Sequence, residues 1–154
     1  MAKRFKWRLD TVKKAKERFE DQKKQAFSDA QSSQNAEEAI LAELYNARLA
    51  QQNRLKENQS GKLNPIELQA SHAYISNLEL KIAAQLKMVE AASQLTESHQ
   101  AELVKAVQEN KVLENLRTRD HQVFKKDERK REQAETDETA NRASHRQQQE
   151  DSET

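Results

Sequence analysis

Apolar residues recur at steps of three and four in two long runs, separated by a single break. In the first run Val12, Phe19, Ala26, Ser33, Ile40 and Ala47 hold one position of a seven-residue repeat, and Leu9, Lys16, Lys23, Ala30, Glu37 and Leu44 hold the other. In the second run Leu68, Ile75, Ile82, Val89, Thr96, Leu103 and Asn110 alternate with Leu78, Gln85, Ala92, His99, Ala106 and Leu113. This spacing keeps each set on one helical stripe. The break is Ser60-Gly61-Lys62-Leu63-Asn64-Pro65, which contains the chain's one glycine and one proline. Both residues are strong punctuators of local structure. The pattern predicts a helix over 5–58, a turn over 59–64 and a helix over 65–142.

The turn carries its own signals. Gly61 can take the left-handed conformation that ends a helix. Asn64 reads as an N-cap, Pro65 as the first helical residue and Glu67 as the back-reaching member of a capping box. Folding the chain at Gly61 pairs residues whose numbers sum to about 122. Leu44 then meets Leu78, Ile40 meets Ile82, Phe19 meets Leu103 and Leu9 meets Leu113, so seam falls on seam. The expected fold is all-α: two long helices in an antiparallel coiled-coil hairpin, with about 80 Å of pairing at 1.5 Å per residue. The seam's middle sets Lys23, Ala26, Ala30, Ser33 and Glu37 against Gln85, Val89, Ala92, Thr96 and His99, which predicts weak packing there. Phe5 would pair near Arg117, leaving roughly the last 37 residues as a C-terminal helical overhang that contains Val123 and Phe124. Residues 1–146 read as one coiled-coil domain, and residues 147–154 as a disordered tail.

Composition supports a thin helical fold. Charged residues make up 34% of the 154, equal to the apolar fraction, and aromatic residues only 5%. That is too little apolar side chain for a thick core. The net charge of +1 hides an asymmetry: residues 1–25 carry ten Lys or Arg against four Asp or Glu, and residues 26–110 carry seven against eleven. The basic start could meet phosphate or an acidic partner surface, or be a solvated helical face. No apolar run follows it and no cysteine is present. The expectation is therefore a reduced, cytoplasmic protein without a secretory signal, a disulfide framework or a membrane span.

Site chemistry is sparse. One glycine is too few for a phosphate-cradling loop. The four histidines, His72, His99, His121 and His145, lack ligand partners at helical spacing, so no metal and no cofactor is expected. A two-helix fold offers no pocket to desolvate carboxylates, so enzymatic acid–base work is not expected either. Phe5 and Trp7 interleave with Lys3, Arg4, Lys6 and Arg8. That pattern could stack bases and neutralise phosphate, or Phe5 could pack on the helical stripe with Leu9 and Val12. A tethering coiled coil is the other open class.

Both ends of the chain resemble one family. Phe5-Lys6-Trp7-Arg8-Leu9-Asp10-Thr11-Val12, followed by Glu17-Arg18-Phe19-Glu20, is similar to the start of the flagellar type III export stalk proteins, the FliJ family. So is the distal stretch: Leu113-Glu114-Asn115-Leu116-Arg117, then Phe124, Arg129-Lys130-Arg131-Glu132-Gln133-Ala134-Glu135 and Asp137-Glu138-Thr139-Ala140-Asn141-Arg142. The resemblance implies a monomeric two-helix stalk whose two ends enter the ring of a hexameric export ATPase and activate it. It implies a link to a membrane-embedded export gate, at the cytoplasmic face of the inner membrane. It also implies handling of export chaperones by some members. It implicates Phe5, Trp7, Arg8, Phe124, Arg129, Arg131, Glu132, Gln133 and Arg142 in ring binding, and Tyr45, Tyr74 and Leu78 in gate binding. No nucleic acid is expected as a partner. The injectisome counterpart of the same stalk stays open beside the flagellar one.

Overall fold

The computed structural model describes residues 3–62 and 64–153. Met1, Ala2, Leu63 and Thr154 lie outside the described residues. With them go the first two residues of the basic start, one residue of the expected turn and the last of the expected tail. Two helices, α1 (Asp10–Gln59) and α2 (Pro65–Ser152), pack against each other as an antiparallel hairpin. Contacts group the chain into two units, residues 1–18 with 107–154 and residues 19–106.

Within residues 19–106 the α2 seam is the one the heptad predicts. Leu78, Ile82, Thr96 and Ala106 are buried, and Val89, Ala92, His99 and Leu103 are half-buried. On α1 the row through Lys23, Ala30, Glu37 and Leu44 is the centre of the seam. The other predicted row lies to one side of it: Phe19 and Ile40 are 43% and 45% exposed. Ala26 and Ala47 of that row are half-buried, and so are Phe27, Gln34 and Leu41, one residue later. Spacings of three and of four are both heptad steps, and only the partner helix decides between them.

The polar residues at the centre are paired across the hairpin. The Gln85 amide donates to the Glu37 carbonyl at 3.0 Å and to the Glu37 carboxylate. Lys23 Nζ lies 2.7 Å from Glu102 Oε2. Both pairings lie close to the expected register. Of the residues in this middle stretch Ala30 and Thr96 are buried, while Lys23, Ala26, Glu37, Gln85, Val89, Ala92 and His99 are half-buried and Ser33 is exposed. The Thr96 hydroxyl is turned to its own helix, donating to the Ala92 carbonyl at 2.9 Å.

The turn differs from expectation at its glycine. Gly61 does not adopt a positive φ. α1 ends instead through tight i to i+3 bonds, from Ser60 N to the Glu57 carbonyl and from Gly61 N to the Asn58 carbonyl. The Ser60 hydroxyl adds a 2.7 Å bond to the same Glu57 oxygen. These bonds satisfy carbonyls that a helix end leaves open. The N-cap of α2 and its opening proline are as expected. Asn64 Oδ1 accepts from Ile66 N at 3.1 Å, and the Asn64 carbonyl takes the first helical bond, from Leu68 N at 3.0 Å. Pro65 opens the helix, where its missing N–H costs nothing.

In the unit formed by residues 1–18 and 107–154, both boundaries differ from the sequence reading. α1 starts at Asp10, not Phe5, and residues 3–7 are not helical. Trp7 to Asp10 is a turn, closed by Asp10 N to the Trp7 carbonyl at 3.2 Å. α2 continues through residues 143–152, where the helix was expected to end and a disordered tail to follow. Gln, Glu and Arg are good helix formers, and no glycine or proline interrupts them.

Candidate functional site

The end unit is built on two inward-facing aromatics. Trp7 is 8% exposed. Its Nε1 donates to Asp120 Oδ2 at 2.9 Å. Phe5 sets its ring edge-on to His121, with centroids 5.0 Å apart, and tilted against Phe124 at 5.3 Å. Such arrangements satisfy the ring quadrupole. Phe124 is therefore not in an unpaired overhang, and Asp120, His121 and Phe124 all have partners in the N-terminal segment. Both partners lie further down α2 than the expected register places them. An extended segment advances more than twice as far per residue as the helix it lies on, so each step back along it meets a partner further down α2.

The first turns of α1 lock onto the same stretch of α2. Lys16 Nζ lies 2.9 Å from Glu109 Oε2. The Lys16 carbonyl accepts from Asn110 Nδ2 at 3.2 Å. Lys13 pairs with Glu17 on its own helix at 3.5 Å. A shallow groove beside these contacts is lined by Phe5, Lys13, Glu114, Arg117, Thr118 and His121.

The residues implicated in ring binding fall into two sets. Phe5, Trp7 and Phe124 face each other or α2 and hold the ends together. Arg8, Arg129, Arg131, Glu132, Gln133 and Arg142 are exposed. Arg131 lies 3.2 Å from Glu128, and Arg142 pairs with Glu138, both along the helix. The last half-buried residue of α2 is Glu128; from residue 129 to 153 every side chain is exposed. The overhang is thus shorter than predicted and wholly polar apart from alanines. Sequence reasoning missed Asp120 and His121. The signal that could have found them is the alternation Arg4-Phe5-Lys6-Trp7-Arg8, whose period of two is that of an extended segment and not of a helix.

Of the residues implicated in gate binding, Tyr45 and Tyr74 are exposed, and the Arg48 guanidinium lies over the Tyr45 ring at 5.1 Å. Leu78 is 4% exposed, so it is a seam residue and offers no surface. Among the described residues no cluster of His, Asp or Glu could hold a metal. No helix of the described residues is long and apolar enough to cross a membrane.

Two carboxylate–ammonium contacts perturb titration. The hydrogen bond from Lys23, with its charge, holds the Glu102 carboxyl below the usual carboxylate range. The bond from Lys24 to Glu20 raises the Lys24 ammonium above its ordinary value. Both groups are solvated.

No curated protein and no solved structure matches the chain. A family model does: the one described as Flagellar FliJ protein matches residues 5–149, which takes in α1, the turn, all but the last three residues of α2 and both aromatic-bearing ends. The chain belongs to the flagellar FliJ protein family.

Proposed function

We propose that this member of the flagellar export machinery is the central stalk and activator of the flagellar type III export ATPase. Its two chain ends enter the pore of the hexameric ring, promoting assembly and hydrolysis. Tyr45 and Tyr74 face the membrane-embedded export gate, and the protein works at the cytoplasmic face of the inner membrane. It performs no catalysis itself, uses no cofactor, is a monomer in isolation and can hand export chaperones to the same apparatus.

The observation that carries this reading is the joined end unit. Phe5 and Trp7 bind the N-terminal segment to α2 at Asp120, His121 and Phe124. The two chain ends are therefore presented as one body, with the polar helix 129–152 continuing from it. A partner that accepts one end must meet the other. The polar surface of that helix suits the lining of a pore better than a lipid or an apolar cleft. The family match to the flagellar proteins supports the flagellar system over its injectisome counterpart.

The test mixes the full chain with a flagellar export ATPase and follows phosphate release and ring formation together. Stimulation of both is expected, and it should be lost on removing residues 129–154 while the helical signal of the hairpin persists. Unchanged hydrolysis with the intact chain would overturn the reading.

A further inference from the structure

The N-terminal segment carries a second feature on its outer side. Its aromatics point to α2 at every other residue, and the residues between them are cations. Arg4, Lys6 and Arg8 are exposed, while Phe5 is half-buried and Trp7 buried. Arg4 and Lys6 lie in the stretch before the turn, where successive outward side chains are roughly 7 Å apart at about 3.3 Å per residue, and Arg8 follows in the turn that leads into α1. No acidic side chain among the described residues pairs with Arg4, Lys6 or Arg8, although Lys13, Lys14, Lys16 and Lys24 all have carboxylate partners nearby. The row is therefore cationic and held in a fixed orientation by the Trp7 bond to Asp120.

We propose that residues 4–8 form a strap that presents Arg4, Lys6 and Arg8 as an exposed cation row to an acidic surface of a protein partner. The Trp7–Asp120 bond is the clasp that sets which way the row faces. The proposal rests on the stalk reading for the identity of that partner, the export ATPase, and not for its chemistry. Guanidinium groups favour carboxylates through paired donors. Nucleic acid is the poorer fit. Sequence-tolerant binding of single strands needs aromatic faces for base stacking, and Phe5 and Trp7 are turned inward. A membrane surface is also the poorer fit. The outward row has no apolar residue to insert, and basic charge alone anchors weakly. Asp120 is a positioning residue: it acts through Trp7 and touches no partner.

The experiment uses the full chain with three probes: a polyglutamate peptide, a single-stranded oligodeoxynucleotide and a phosphatidylglycerol vesicle. Polyglutamate is expected to bind in low salt and to lose about tenfold in affinity when Arg4→Ala, Lys6→Ala and Arg8→Ala are combined, as three exposed ion pairs would give. Asp120→Ala is expected to weaken polyglutamate binding and shift Trp7 emission to the red, while Asp120→Asn, which keeps an acceptor, restores both. A purely diffuse electrostatic effect predicts the reverse for Asp120→Ala, since that change makes the chain more positive. Equal polyglutamate binding by the wild type and the triple variant overturns the proposal, as does tighter binding to the oligonucleotide or the vesicle. In the ATPase assay the two readings separate. Loss of stimulation in the triple variant, with the wild type active, supports the strap. Equal stimulation by both refutes it and leaves the stalk reading standing. A wild-type chain that fails to stimulate while its strap still binds polyglutamate refutes the stalk reading alone.

Discussion

Residues 19–106 hold their helices together by repetition, whereas residues 1–18 with 107–154 rely on individual contacts. In the first unit, seam residues recur every seven positions, and the polar ones meet across the hairpin at Glu37–Gln85 and Lys23–Glu102. No one of them is indispensable in kind, because the next repeat offers a similar contact. In the second unit one indole, one carboxylate and three aromatic rings do work that no repeat duplicates. A repeated seam gives length and register. A cluster of unlike side chains gives a defined local shape, which is what a partner can recognise.

The largest contrast lies inside the repeated unit. Ile82→Ala, at a buried seam position, should cost about 2–3 kcal/mol in urea unfolding, toward the low end for a core truncation because the seam is thin. Leu80→Ala, two residues away and 72% exposed, should cost less than about 0.5 kcal/mol. Equal costs would mean that the helix is rotated from the orientation described. The next effect belongs to the end unit. Asp120→Ala should cost about 1–2 kcal/mol, leaving the buried indole N–H without its acceptor. Amide exchange should speed up near Trp7 and stay unchanged near Leu78. Acceleration throughout would mean that the two units are not separately held. At the turn, Gly61→Ala should raise stability by about 0.4–1 kcal/mol. A Cβ there meets nothing within 4 Å and the φ is not positive. A loss of stability would show that the turn needs glycine after all.

The smallest effect is electrostatic. Lys23 lowers the Glu102 carboxyl below its ordinary value, so the pair contributes stability that is present above the unfolded carboxylate pKa. That contribution is lost as pH falls through the lower, folded value. Because the group is solvated, the loss should be small and salt-sensitive. Melting curves across the acidic range, compared between wild type and Glu102→Gln, should converge at low pH.

Much of the repeated unit was legible in the sequence. The α2 seam, the Asn64 N-cap and the register near Glu37 follow from spacing and turn chemistry. The second α1 row was right at Ala26 and Ala47 and misplaced at Val12, Phe19 and Ile40, which are apolar at one valid heptad step and exposed all the same. Helix start and strap were the larger miss. The row Phe5, Leu9, Val12 looks helical, but Trp7 gains a buried hydrogen bond to a residue 113 positions away, and that contact overrides local propensity. No local pattern names Asp120 as its acceptor. The overhang was over-long for the same reason: an extended strap reaches further along α2 than a helix of equal residue count.

The claim that both ends meet one partner is tested most directly by cross-linking. The chain has no cysteine, so single cysteines placed by Arg8→Cys, Arg131→Cys and Asn53→Cys are unambiguous probes. With a thiol-to-amine cross-linker and the assembled export ATPase, Arg8→Cys and Arg131→Cys should both yield adducts with the ATPase subunit, and Asn53→Cys should yield none. An adduct from only one chain end, or from Asn53→Cys in place of the ends, would contradict the account.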